Sequence, residues 1–147
     1  MIEFLKKYLS SNVEALGWLL SYIIYCNAID DIVDCKFEKD DKMRRLLVVR
    51  TFELAAHIYS SEFYIINMHI LFPLMKMAGQ SYMDSIILED SKEVWKRNLG
   101  DNLRHEANNI TLAVIEIVCG IEKRMEASLE LRECSYNTHH DKLGNPC

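Results

Sequence analysis

Apolar positions recur along most of this chain at the three- and four-residue spacing of helices, and strand-type alternation is not apparent anywhere. The pattern predicts a short first helix, Ile2 to Leu9, ending at Ser10-Ser11-Asn12. Ser11 with Glu14 three residues later has the form of a capping box opening a second helix that runs to about Asp34. Cys35 to Asp40 reads as a polar turn. Met43, Leu46, Leu47, Phe52, Leu54 and Ile58 then supply the apolar stripe of a third helix, which Ser60-Ser61 breaks or recaps.

Glu62 to Phe72 is strongly apolar, and Pro73 suits the first turn of a further helix through Met83 to Leu88. Asp90 with Glu93 is a second capping-box candidate, opening a long helix from about Ser91 to Cys119 that Gly100 interrupts without ending. Gly120 punctuates it, and a last helix covers about Ile121 to Tyr136. Gly144 and Pro146 mark the loss of regular structure in a polar tail, Asn137 to Cys147. The expected fold is therefore all-α, a compact helical bundle of about five or six helices, with residues 1–136 forming one helical domain and 137–147 the tail.

Composition supports this expectation. With 147 residues, half of them apolar, the chain can bury one good core and is short for two ordinary domains. Two prolines and five glycines leave little to interrupt long helices. A formal charge of −5 argues against nucleic acid, whose recognition needs clustered Lys and Arg.

Cys26, Cys35, Cys119, Cys134 and Cys147 are odd in number and show no CxxC or zinc-type spacing, which fits free thiols in a reducing, cytoplasmic setting. The apolar run Val13 to Ile29 carries Glu14 and Asn27 and leads into three aspartates, so a buried helix is expected rather than a membrane segment. Lys6 and Lys7 imitate a secretion signal, but Glu3 and Glu14 interrupt the pattern.

The sharpest chemical feature is Asp30-Asp31-Ile32-Val33-Asp34 at the end of the second helix. Asp30 and Asp34 fall one turn apart on one face, with Asn27 a turn earlier and Asp31 about 100° away. Two carboxylates so placed can share a hard cation such as Mg²⁺, which commonly bridges carboxylates to the phosphates of a substrate. The same acids also fit a solvated helix end, although negative charge at a helix C-terminus opposes the helix dipole and calls for compensation.

A second constellation, Asp101, His105 and Asn108 or Asn109, shares a face of the predicted long helix, with Arg104 and Glu106 beside it. It fits either a ligand site or a buried hydrogen-bond network in which an acid satisfies His105.

Other pairs carry less. Glu53 with His57 and Glu62 with His69 lie one and two turns apart, but the Glu-x-x-His repeats of di-iron bundles are missing, and exposed helix pairs are the simpler reading. His139-His140-Asp141 falls in the predicted tail, where adjacent ligands are poorly preorganised. Met68, Met75, Met77 and Met83 suit a core or an adaptable apolar pocket. Trp18, Tyr22 and Tyr25 precede the aspartates and suit core packing or aromatic cavity walls. The chain has no Gly-rich phosphate loop, P-loop or nucleophile elbow.

The Asp30-Asp31-Ile32-Val33-Asp34 segment, ending an apolar and aromatic helix, resembles the aspartate-rich motif of class I isoprenoid and terpene synthases. Those are all-α enzymes that bind diphosphate through Mg²⁺. Their second motif has Asn or Asp, then Ser or Thr four residues on, then Glu after four more. The nearest counterpart is Asp101, His105 and Asn109, which agrees at the first position only. Leu99-Gly100-Asp101-Asn102-Leu103 is similar to the second acidic helix of all-α nucleotide pyrophosphohydrolases, with Asn98 in place of that motif's Glu.

These resemblances imply a divalent-metal-binding bundle that binds or acts on a phosphorylated or diphosphate small molecule. Asp30, Asp31, Asp34 and Asp101 would hold Mg²⁺, Asn27 and Asn109 would assist, and His105 or Arg104 would meet the leaving phosphate. Dimerisation is one way to complete such a bundle. The rival expectation is a non-enzymatic helical interaction module whose acids are surface charges.

Overall fold

The computed structural model describes residues 1–34 and 40–139. The described residues are all-α: α1 (Ile2–Leu9), α2 (Val13–Val33), α3 (Asp41–Ser60), α4 (Glu62–Glu89), α5 (Val94–Arg104), a 3₁₀ turn (His105–Ala107), α6 (Asn108–Cys119) and α7 (Ile121–His139). They gather into two compact units, one of residues 12–68 and one of residues 1–11 with 69 onward; α4 contributes to both. The tail from residue 140, including His140, Asp141 and Cys147, lies outside the described residues, as do Cys35 and most of the predicted turn that follows Asp34.

In the unit of residues 12–68, α2 packs along α3. Ala15, Trp18, Leu19 and Tyr22 of α2, Leu54 and Ile58 of α3, and Phe63 and Tyr64 of α4 are buried. Trp18 is nearly parallel to two neighbouring rings, Tyr22 at 5.6 Å and Tyr64 at 6.1 Å. Its indole Nε1–H donates to the carbonyl of Ile58 at 3.1 Å. That carbonyl is among the last four of α3, which have no partner within their own helix, so one side chain both fills the core and closes a helix end.

The sequence pattern places the start of α2 at Ser11, but the cap is Asn12, whose side chain accepts from the Ala15 N–H at 2.9 Å. Glu14, the expected second half of a capping box, instead accepts from the backbone N–H of Phe63 at 3.0 Å. It thereby satisfies one of the orphan donors at the start of α4. The buried-helix expectation for α2 holds along one face, because Val13, Ile24 and Val33 are exposed. Among the described residues α2 is also the one helix long and apolar enough to cross a membrane, a property it shares with core helices.

In the other unit, α1 packs on α6 and α7, and α6 on α7. Leu5, Leu9, Leu71, Ile110, Val114, Ile115, Ala127 and Leu131 are fully buried. Glu130 of α7 ties down α1 by accepting from the Lys7 ammonium at 2.6 Å and the Tyr8 hydroxyl at 2.9 Å. These bonds hold the Glu130 carboxyl below its ordinary range and raise the Lys7 ammonium. The Cys119 thiol donates to the Tyr8 carbonyl at 3.0 Å.

Three helix ends differ from the sequence pattern. Pro73 does not open a helix but sits inside α4. Its missing N–H deprives the His69 carbonyl of its usual partner, which is tolerable because both residues are exposed and water can replace the bond. The predicted helix Ser91–Cys119 is two helices joined by the 3₁₀ turn, and α5 begins at Val94 with Glu93 as a cap that makes no side-chain bond. Ser91 Oγ, not Asp90, accepts from the Glu93 N–H at 3.2 Å. Gly120 ends α6 as expected, at φ 85°, where a side chain would be strained.

Gly100 does not interrupt α5 but is buried, and its Cα faces α4 closely. A Cβ there would lie 3.0 Å from the Ser85 carbonyl oxygen and 3.0 Å from Glu89 Cγ. Four residues on, Arg104 forms a two-pronged ion pair with Glu89, at 2.5 Å through Nε and 2.7 Å through a terminal nitrogen. The α5 helix is thus held against α4, while α6 is committed to α1 and α7. The 3₁₀ turn stands between the two packings.

Candidate functional site

The acidic end of α2 has the expected register. Asp30 and Asp34 are one turn apart, α2 runs to Val33, and the Asp34 N–H bonds to the Asp30 carbonyl at 2.9 Å. Asp30 and Asp31 are half-buried and engaged by neighbours, whereas Asp34 and Asn27 are exposed. The second constellation belongs to the other unit. Asp101 and Arg104 lie on α5, His105 starts the 3₁₀ turn, and Asn109 lies on α6, so the predicted single helix face carrying Asp101, His105 and Asn109 is interrupted at its middle member.

The side chains there are committed to one another. The Arg104 guanidinium is paired with Glu89 and stands 5.7 Å from the Tyr82 ring centre, while Asn109 Nδ2 donates to Glu106 at 2.5 Å. Asp101, His105 and Asn108 also have partners. Among the described residues no three His, Cys, Asp or Glu side chains gather in a way that could hold a metal ion. Asp30 and Asp34 supply hard oxygen donors suited to Mg²⁺, but among the described residues a complete donor set is not assembled around them.

Elsewhere, Glu53, His57, Glu62 and His69 are exposed, and Glu53 stands 3.9 Å from Arg50. Met75 is buried, whereas Met68, Met77 and Met83 are exposed. Tyr22 and Tyr25 approach the half-buried Cys26, and the Tyr22 hydroxyl shares a hydrogen bond with its thiol. Burial pushes the phenols of Tyr22, Tyr25 and Tyr64 and the Cys26 thiol above their ordinary values.

Sequence reasoning missed a surface on α3. The six apolar residues read as one stripe occupy two faces. Leu54 and Ile58, with Thr51, turn inward, and Met43, Leu46 and Phe52 turn outward with Val49. Phe52 is 74% exposed, the most exposed aromatic side chain among the described residues, and Leu46 and Val49 are 54% and 55% exposed. The signal was in the spacing, because Leu47, Thr51, Leu54 and Ile58 step by four, three and four, while Leu46, Val49 and Phe52 step by three along a separate line.

A shallow depression on this outer face is lined by Asp41, Lys42, Arg45, Leu46 and Val49. It is bordered by charge, since Asp41 accepts from Arg44 at 2.7 Å and from Arg45 at 2.8 Å.

No family model, curated protein or solved structure matches the chain.

Proposed function

We propose that this chain is a helical protein-interaction module, and that the outer face of α3 is where a partner helix docks. The observation that carries the reading is the line Leu46, Val49, Phe52, three large apolar side chains in contiguous turns of one helix, all more than half exposed. The opposite face of α3 already packs against α2, so α3 does not need these residues for its own unit. Single exposed apolar residues are ordinary, but a contiguous stripe at helical spacing is the form a helix takes when it buries a face against another helix.

The test is the size of the protein after chemical crosslinking inside cells that express it, before lysis dilutes a weak complex. The reading expects the parent chain to run above its 17.2 kDa mass and a Leu46→Glu/Phe52→Glu variant to run at it, with unchanged helical circular dichroism. A parent chain running at monomer size would overturn the reading.

A second reading rests on Asp30 and Asp34. Their one-turn spacing at the end of α2 favours a divalent cation and, through it, a phosphorylated or diphosphate small molecule in the manner of isoprenoid synthases. In this reading Asp30, Asp31 and Asp34 hold Mg²⁺ directly and Asn27 assists from the preceding turn. Calorimetric titration with Mg²⁺, Mn²⁺ and Zn²⁺ tests it. Binding that is lost in Asp30→Asn/Asp34→Asn supports the reading, and no heat from the parent protein removes it.

A further inference from the structure

We infer that the partner docking on α3 is a second copy of this chain, related by a two-fold axis beside Val49 with the two α3 helices antiparallel. This rests on the docking reading above and adds the identity and register of the occupant.

Lys42, Arg45, Leu46 and Val49 stand at positions i, i+3, i+4 and i+7, the four-cornered hole into which a facing helix inserts one side chain when helices interdigitate. Leu46 and Val49 are the apolar corners of the hole and can receive an apolar knob between the charged Lys42 and Arg45, and the hole lies within the N-terminal half of the outer stripe. The largest apolar side chain on the same face is Phe52, in the C-terminal half, standing clear of its own helix.

Hole and knob lie on opposite sides of Val49. In an antiparallel pair with the axis beside Val49, positions equally far before and after it come level. Phe52 of the partner subunit then comes level with Leu46, at the hole. By symmetry Phe52 of the first copy fills the partner subunit's hole, so the interface is self-complementary and closes as a dimer. A parallel arrangement in register would set hole against hole and Phe52 against Phe52, leaving both holes without a knob.

The charges agree with the same register. Arg45 lies four positions before Val49 and Glu53 four after it. The antiparallel pair brings Arg45 level with Glu53 of the partner subunit twice over. Both side chains are free to turn, because Arg45 is 80% and Glu53 64% exposed and their present pairings, with Asp41 and Arg50, are between exposed groups on one helix. A parallel pair in register would instead place Arg45 against Arg45.

The interface is modest. The 20 residues of α3 span about 30 Å, and one helix pair of that length belongs below the roughly 1,200 Å² of a standard interface. The dimer should therefore dissociate on dilution.

Sedimentation velocity on the full chain over about 1 to 200 µM, a range chosen to bracket a reversible association of this size, tests the inference. The parent chain is expected to shift from one to two times 17.2 kDa across the range. Phe52→Glu should raise the dissociation constant by about tenfold or more, as loss of a central knob does. Arg45→Glu and Glu53→Arg should each weaken the dimer, and the double exchange should restore it. Circular dichroism confirms that each variant is folded.

A parent chain that stays monomeric throughout overturns the second-copy inference. A dimer indifferent to Phe52→Glu overturns the assignment to this face, and failure of the double exchange to restore association overturns the antiparallel register. The docking reading fails separately: it survives a monomeric result if the α3 face is covered by another polypeptide in the cell, and falls with this inference if that face is bare.

Discussion

The carboxylate of Glu14, near the start of α2, accepts a hydrogen bond from the backbone N–H of Phe63, in the first turn of α4, at 3.0 Å. A helix start is thereby capped from another helix, by a group whose charge also suits the dipole there. Glu14→Ala should lower stability by about 1 kcal/mol, the usual cost of losing a cap, and Glu14→Gln, which keeps an acceptor, should cost less. Urea unfolding of the three proteins checks the order. An Ala variant as stable as the parent would mean that water replaces the cap fully.

This bond also shows where sequence reading stops. Helix type and most boundaries were legible, because they follow from local spacing and from stops such as Ser60-Ser61 and Gly120. Glu14 was not, since a capping box and a cap donated across 49 positions look alike in sequence. The break at His105 was invisible for another reason. His105-Glu106-Ala107 contains no helix breaker, and the 3₁₀ turn stands where α5, tied to α4 by Arg104, gives way to α6, packed on α1 and α7. The candidate site suffered directly, because the shared face of Asp101, His105 and Asn109 assumed an unbroken helix. Asp30 and Asp34 depended only on spacing within α2, and their register stands.

Gly100 and Gly17 should respond oppositely to the same substitution. Alanine favours a helix interior by up to about 1 kcal/mol over glycine. At Gly100 the new Cβ meets the Ser85 carbonyl oxygen at 3.0 Å and the Glu89 backbone nitrogen at 3.2 Å, and overpacking of this kind costs about 1–3 kcal/mol. The clash should win, so Gly100→Ala destabilises. At Gly17 a Cβ meets nothing within 4 Å, so Gly17→Ala should stabilise by about 0.5–1 kcal/mol. Thermal melts of both variants decide the signs.

Stability should fall on the alkaline side. Burial raises the folded-state values of Tyr22, Tyr25, Tyr64 and Cys26, so the native state keeps protons that the unfolded chain releases. Their contribution is fully present below the unfolded values, about 8.5 for Cys and 10 for Tyr, and is lost as pH rises above them. Melting temperatures measured from pH 7 to 11 should drop beyond about pH 9, and a Tyr22→Phe/Cys26→Ala variant should show a shallower drop. Equal slopes in variant and parent would place the alkaline sensitivity elsewhere.

The Arg104–Glu89 pair should matter modestly. Both side chains are about one-third exposed, which limits the worth of even a two-pronged pair to about 1 kcal/mol. Arg104→Lys, which keeps the charge but loses the fork, should recover only part of what Arg104→Ala loses. High salt should narrow the gap between the parent and Arg104→Ala in denaturant unfolding.

The claim that the outer face of α3 is a docking surface is tested most directly by a photo-crosslinking amino acid placed at position 52 in cells, beside a control at Lys123 on the polar surface of α7. The account predicts a discrete covalent adduct from position 52 alone, identified by mass spectrometry as joined through one defined segment of its partner. Irradiation that leaves the position-52 protein uncrosslinked, or crosslinks both positions alike, would contradict it.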